Sequence, residues 1–157
     1  MDTGVLIHAK QSTAYLNRLD TSLGKRRPCV VPQVNKEFGQ GGGQERAWLN
    51  TFLKNRSGKK SSTYASAAVI DELRARAAAT GQHLEAKDTQ VVGQTKMLGL
   101  SLITADVRLA NNLEIINRRY PKAYPVERLP FANRLSPTAR PSHASPASHV
   151  RAAGTCQ

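Results

Sequence analysis

Four acidic residues are the groups in this sequence best suited to chemistry. They are Asp2 in Met-Asp-Thr-Gly-Val-Leu-Ile-His, Glu37 in Val-Val-Pro-Gln-Val-Asn-Lys-Glu-Phe, Asp88 in Ala-Lys-Asp-Thr-Gln-Val-Val and Asp106 in Leu-Ile-Thr-Ala-Asp. Each stands beside an apolar run or a turn. Carboxylates placed next to buried elements cost free energy unless they are partnered, and a divalent cation is the natural partner. Mg²⁺ or Mn²⁺ takes oxygen ligands, keeps water positions open, polarises a phosphate and supplies a hydroxide nucleophile. The rest of the chain is basic: 23 Lys plus Arg stand against 11 Asp plus Glu, a net charge of +12. A carboxylate metal site in such a chain points to a phosphodiester substrate.

Taken singly, each acid also has an ordinary structural reading. Asp88 suits the first turn of a helix, where the dipole favours it. Asp106 suits a cap on the helical turn after a strand. Glu37 can pair with Lys36 or Arg46, and Asp2 can be a solvated terminal residue. The set of four, in this order and with these flanks, is more specific than its members.

Charge and composition narrow the partner. A basic chain favours nucleic acid over an anionic membrane or an acidic protein. Aromatic residues are 5% of the chain, so base-stacking platforms are not expected as the main mode of contact. Two cysteines, Cys29 and Cys156, are too few for a disulfide framework or a zinc set, and Cys29 reads as a small core residue. His8, His83, His143 and His149 show no metal-ligand spacing. No apolar run approaches the length of a membrane span and no signal peptide is visible, so a cytoplasmic protein is expected, without a membrane partner.

The elements that must position the acids are legible from pattern. Val5-Leu6-Ile7 leads into a helix through Tyr15 and Leu19. Cys29-Val30-Val31 is a short buried strand, and Pro32 then opens a helix to Phe38 that carries Glu37 in its second turn. The Gly39–Gly43 run lacks the Lys-Ser/Thr ending of a phosphate loop and reads as a connector. Helices are expected over 44–54, 64–79 and 87–98, with a polar, basic loop at 55–62. Leu100–Ile103 is a short strand with Asp106 beyond its carboxyl end, ahead of another helical turn, and Tyr124–Glu127 is an edge strand. Helices alternating with apolar strands argue for an α/β fold on a parallel sheet, whose sites gather beyond the carboxyl ends of the strands. Residues 131–157 are rich in Pro, Ser, Ala and Arg and hold no acid. They read as a disordered basic tail behind a folded domain of 1–130.

On these residues the chain resembles the PIN domain family, over about residues 1–128. Asp-Thr-Gly-Val-Leu-Ile is similar to the family's opening signature. Val-Pro-Gln-Val-Asn-Lys-Glu-Phe is similar to its second motif, and Lys-Asp-Thr-Gln-Val-Val-Gly-Gln-Thr-Lys-Met-Leu-Gly-Leu to its third. Leu-Ile-Thr-Ala-Asp is the family's most readable signature, and Tyr-Pro-Val-Glu-Arg looks like the ending of PIN-type tips of secreted toxins. The resemblance implies a three-layer sandwich with a central parallel sheet. It implies cleavage of single-stranded RNA with Mg²⁺ or Mn²⁺, as in bacterial toxin–antitoxin ribonucleases, or action in a target cell's cytoplasm as part of a secreted toxin. Asp2, Glu37, Asp88 and Asp106 are then the catalytic metal ligands and Thr104 a supporting hydroxyl. The partners implied are RNA, an antitoxin or immunity protein and a second copy of the chain in a homodimer. Two features depart from the pattern. Gly4 stands where the family has Asn, and the hydrophobic strand that precedes the first acid is expected to be truncated, with Met1 alone before Asp2. The alternatives from other classes are a nucleic-acid-binding or interaction module without catalysis and a DNA-directed nuclease of the same fold.

The loops carry the charge expected to hold a backbone. Lys25-Arg26-Arg27 forms one cluster, Lys54, Arg56, Lys59 and Lys60 a second, and Arg118, Arg119 and Lys122 a third. Contacts of this kind give salt-sensitive, sequence-tolerant affinity.

Overall fold

The computed structural model describes residues 1–131; of the 131–157 tail expected to be disordered, Phe131 stacks on His8 at 4.2 Å and 132–157 lie outside the described residues. The chain opens with α1 (Thr3–Gln11) and α2 (Thr13–Leu23). Ser12 separates them. Its N–H closes α1 on the His8 carbonyl, while its hydroxyl accepts the Tyr15 N–H at 3.1 Å and caps α2. After β1 (Cys29–Val30), Pro32 begins α3 (Pro32–Gly39), where its missing N–H costs nothing. There follow α4 (Gly43–Asn55), β2 (Lys59–Lys60), α5 (Ala67–Ala79), α6 (Ala86–Met97), β3 (Leu102–Thr104), α7 (Val107–Arg119) and β4 (Val126–Arg128). The fold is mixed α/β.

Two elements differ from expectation. The basic loop at 55–62 contains β2, a pair of exposed lysines whose strand character lies in the backbone: Lys59 N–H donates to Pro28 O at 3.1 Å and Ser61 N–H to Val30 O at 2.8 Å. Lys-Lys carries no apolar period for a sequence reading to find. The helical turn expected after Asp106 runs for 13 residues as α7, because Leu109, Ala110, Leu113 and Ile116 line one buried face.

The strands form two parallel pairs, β1 with β2 (Cys29 opposite Lys59) and β3 with β4 (Leu102 opposite Val126). The continuous central sheet implied by the resemblance is not formed among the described residues. Met1–Asp2 lies between the halves: the Met1 amine donates to Cys29 O at 3.1 Å, and Asp2 N–H donates to Ile103 O at 2.9 Å. One dipeptide therefore ties β1 to β3. Burial holds the Met1 amine down to about 6.

The core packs around this seam. Val5, Leu6, Leu19, Val30, Val34, Leu73, Leu113 and Ile116 are fully buried. The buried Tyr15 hydroxyl donates to Leu129 O at 2.6 Å, fastening the end of β4 to α2. Two basic residues expected at phosphate contacts serve the fold instead. Arg26 pairs with Glu127 at 2.6 Å, and Arg56 pairs with Asp20 at 2.7 Å. Among the described residues no helix is long and apolar enough to cross a membrane.

Gly58, just before β2, lies tight against Pro28, just before β1. A Cβ there would lie 2.5 Å from Pro28 O and 2.9 Å from Leu53 Cδ2. The first obstacle is backbone, which cannot step aside. Gly58→Ala is expected to cost about 1–3 kcal/mol, read as a lower urea midpoint with an unchanged slope.

Candidate active site

Three of the four acids stand at helix starts, and Glu37 and Asp106 lie on helices that directly follow strands. Asp2 is the N-cap of α1, Asp106 the N-cap of α7, and Asp88 lies in the first turn of α6. Glu37 lies in the second turn of α3, directly after β1. Helix N-termini carry partial positive charge from unpaired N–H groups, and this favours carboxylates there.

Asp2 is the most constrained of the four. It is buried, its Oδ1 accepts the Thr3 N–H at 2.8 Å, and its Oδ2 accepts the Thr104 hydroxyl at 2.7 Å. The same Thr104 oxygen accepts the Asp106 N–H at 3.0 Å, so one hydroxyl spaces the Asp2 side chain from the Asp106 backbone. Asp106 Oδ1 then accepts the Leu109 N–H at 3.1 Å, the capping role open to it from sequence.

Glu37 is held from both sides. The Thr3 hydroxyl donates to Oε1 at 2.5 Å and the Gln33 amide donates to Oε2 at 2.8 Å. The surface pairing with Lys36 or Arg46 is not what the structure shows. Gln33 is itself fixed, because its N–H donates to Oε1 of the buried Gln94 at 2.9 Å. Gln94 thus links α6 to the start of α3. Sequence reasoning missed it. Its signal was an amide three residues after Val91 and four before Leu98, on the apolar face of the helix.

Asp88 shows how closely the acids converge. Its carboxyl is pushed up to about 6, first by burial and then by the charges of Asp2, Asp106, Glu85 and Glu37. All four candidates thus act on one electrostatic site, with Glu85 as a fifth acid. They do not close into a finished cage: among the described residues no three His, Cys, Asp or Glu side chains are grouped closely enough to hold an ion as they stand. Their charges raise the Asp88 carboxyl, and a cation would relieve that repulsion. By donor type and electrostatics the residues fit a hard divalent ion.

A polar cavity of about 50 Å³ opens beside Asp88 and Asp106, lined also by His83, Arg108 and Asn112. Asn112 donates to His83 O at 3.2 Å and pins the loop between α5 and α6 to α7. Arg108 brings positive charge to the acids, and His83 adds a polar ring to the cavity wall. Neither stood out from sequence, since Arg108 lies outside the basic clusters. Gly4 lies in α1 near the same site. A Cβ there would meet Ala105 Cβ at 3.9 Å, ordinary contact, so the position has room for a side chain.

No protein-family profile and no curated relative matches the chain. A solved structure does. The chain matches the crystal structure of VapBC2 from Rickettsia felis bound to a DNA fragment from their promoter, with a TM-score of 0.58 and 18% identity, over 80% of this chain and 94% of that one. Identity this low bears on the fold alone, and the fold is PIN-like.

Two outcomes follow from this geometry. Thr104→Val keeps the shape but leaves a buried carboxylate oxygen without its donor, and should cost about 1.5–3 kcal/mol in urea unfolding. Asp88 gives a pH signature. Its folded value, about 6, lies above its ordinary 3.8. The folded chain therefore binds more protons between those values, so the contribution of Asp88 to stability is full at low pH and lost as pH rises through about 6. In EDTA, Asp88→Asn should raise the melting temperature over wild type at about pH 7.5 and show little gain at about pH 4. A gain that does not change with pH would contradict the convergence of charge on Asp88.

Proposed function

We propose that this PIN-like domain is a metal-dependent endoribonuclease that cleaves single-stranded RNA, acting as a bacterial toxin neutralised by an antitoxin or immunity protein. The observation that carries this reading is the convergence of Asp2, Glu37, Asp106 and Glu85 on a half-buried Asp88 in a chain of net charge +12. Excess negative charge at one point of a basic surface makes sense when a cation is to be held there and a polyanion brought to it.

Asp2, Glu37, Asp88 and Asp106 would hold Mg²⁺ or Mn²⁺. The ion supplies Lewis acidity beside the scissile phosphate. The chain's own residues do the rest. Thr104 fixes the Asp2 carboxylate, while Thr3 and Gln33 fix Glu37, so these ligands need little reorganisation when charge arrives. Arg108 and His83 at the polar cavity are placed to meet a phosphate, and Lys25, Arg27, Lys54 and Lys60 extend the basic surface that holds the backbone. In this reading the two strand pairs and Met1–Asp2 are parts of one parallel sheet in a three-layer sandwich. The likeness to a chain of VapBC2 supports the toxin assignment, and an acidic partner would suit the charge. A homodimer and action in the cytoplasm belong to the same proposal.

The lack of a finished metal cage among the described residues, together with Gly4, favours one second reading: a nucleic-acid-binding module without catalysis. The two readings separate in one assay. Labelled single-stranded RNA and DNA are incubated with wild type and Asp88→Asn, in Mn²⁺ and in EDTA. A nuclease should cut RNA in Mn²⁺ and not in EDTA, and Asp88→Asn should lose activity by on the order of 100-fold while remaining folded. Preferential cutting of DNA would move the substrate. RNA affinity that survives EDTA, with no cutting by folded protein, would establish the binding module.

A further inference from the structure

A second cavity, of about 120 Å³, shares no lining residue with the polar one and is lined by Ile7, Lys10, Gln11, Glu37, Phe38 and Glu45. Its wall begins where the metal ligands end, because Glu37 belongs to both. Thr3, which bonds Glu37, starts a stripe along α1: Ile7, Lys10 and Gln11 follow at four, seven and eight residues, the spacing of one helix face. The other face buries Val5, Leu6 and Ala9 in the core. Ile7 remains 41% exposed at the cavity, a large aliphatic side chain in water beside a row of acids.

The chemistry of the rim is specific. Lys10 Nζ and Glu45 Oε2 are 3.7 Å apart, an ion pair too long for a direct hydrogen bond. Both groups therefore keep hydrogen-bonding capacity for a third party. Glu45 is aimed by the Gly41–Gly43 run, since its side chain lies flat on Gly41. A Cβ at Gly41 would come within 2.8 Å of Glu45 Cδ. The glycines, which form no phosphate loop, leave the space this carboxylate occupies.

We propose that this cavity is a nucleobase subsite and that it selects guanine in the nucleotide next to the scissile phosphate. The inference rests on the nuclease reading above. A guanine edge presents two adjacent N–H donors and a carbonyl oxygen. Glu45 accepts from the first two and Lys10 donates to the third. Ile7 and Phe38 supply the apolar walls that a flat ring needs, and single-stranded RNA has bases free to turn outward into such a site. The backbone phosphate then lies toward the acids and Arg108.

The test uses the full chain and two readouts. A random-sequence RNA is cut in Mn²⁺ and the ends are sequenced, and in EDTA the affinities of four short RNAs differing in one base are measured by anisotropy. Wild type should favour guanine beside the cut by roughly tenfold, and bind the guanine RNA more tightly by a similar factor. In Glu45→Gln the guanine signal should fall to the level of the other three bases, whereas Ile7→Ala should weaken binding of all four. Gly41→Ala, which displaces Glu45 without touching its chemistry, should weaken the preference in the same direction. Cutting by wild type with no preference, or a preference unchanged in Glu45→Gln, overturns the subsite and leaves the nuclease reading standing. No cutting by folded wild type overturns the nuclease reading. In that case equal affinity for the four RNAs in EDTA overturns the subsite too, and a guanine preference that Glu45→Gln abolishes sustains it as a binding site.

Discussion

The fixing of Asp2 is the constraint on which the rest of the structure depends. Its backbone N–H sits on Ile103 O and its carboxylate on the Thr104 hydroxyl, while the Met1 amine beside it sits on Cys29 O. Two residues thus join the two strand pairs, start the first helix and place the first acid. Each of these contacts is buried or nearly so, where a hydrogen bond left unmade costs the full desolvation of the group. Moving Asp2 would cost the seam between β1 and β3 as well as a carboxylate. Structural and chemical roles are carried by the same atoms here.

Around that point two electrostatic effects oppose one another. The starts of α1, α6 and α7 each put an acid where the helix favours it by a few tenths to about 1 kcal/mol. Against this stands repulsion among the acids and their partial burial, strong enough to hold Asp88 protonated to about pH 6. For Asp88 the second effect wins, as its raised value shows. The site is thereby poised, since its acids are oriented by Thr3, Gln33 and Thr104 but one of them is not fully ionised near neutrality. A cation would tip that balance, and its affinity would fall with pH as Asp88 takes up its proton.

The sequence made the acids legible because each lies in a short context with a physical signature: a strand end for Asp106, a proline-started helix for Glu37, a helix start for Asp88. The helices were legible for the same reason, through periodicity and caps. What escaped reading was what depends on partners distant in sequence. β2 is a strand because Pro28 O and Val30 O meet its backbone, and Lys59-Lys60 has no apolar pattern to report that. Gln94 orients Gln33, 61 residues away, and nothing in the spacing between them announces the contact. Arg26 and Arg56 were counted with the phosphate-binding clusters, and pairing with Glu127 and Asp20 spends them on the fold. Composition counts such residues with their clusters, while their ion pairs depend on acids distant in sequence.

The helix α1 draws these threads together. Its inner face, Val5, Leu6 and Ala9, packs the core, and its first turn supplies Asp2 and Thr3. The stripe that continues from Thr3 through Ile7 to Lys10 is left outside, against α3 and α4. Ile7 lies off the buried face of the helix, stays 41% exposed and lines the cavity beside Glu37. Surface of this kind beside a polar rim marks a place where something apolar is meant to sit. The glycines from Gly41 to Gly43 point the same way. A side chain at Gly41 would collide with Glu45, which lies beside Lys10. Two local features thus converge on one cavity wall, and that wall is shared with Glu37.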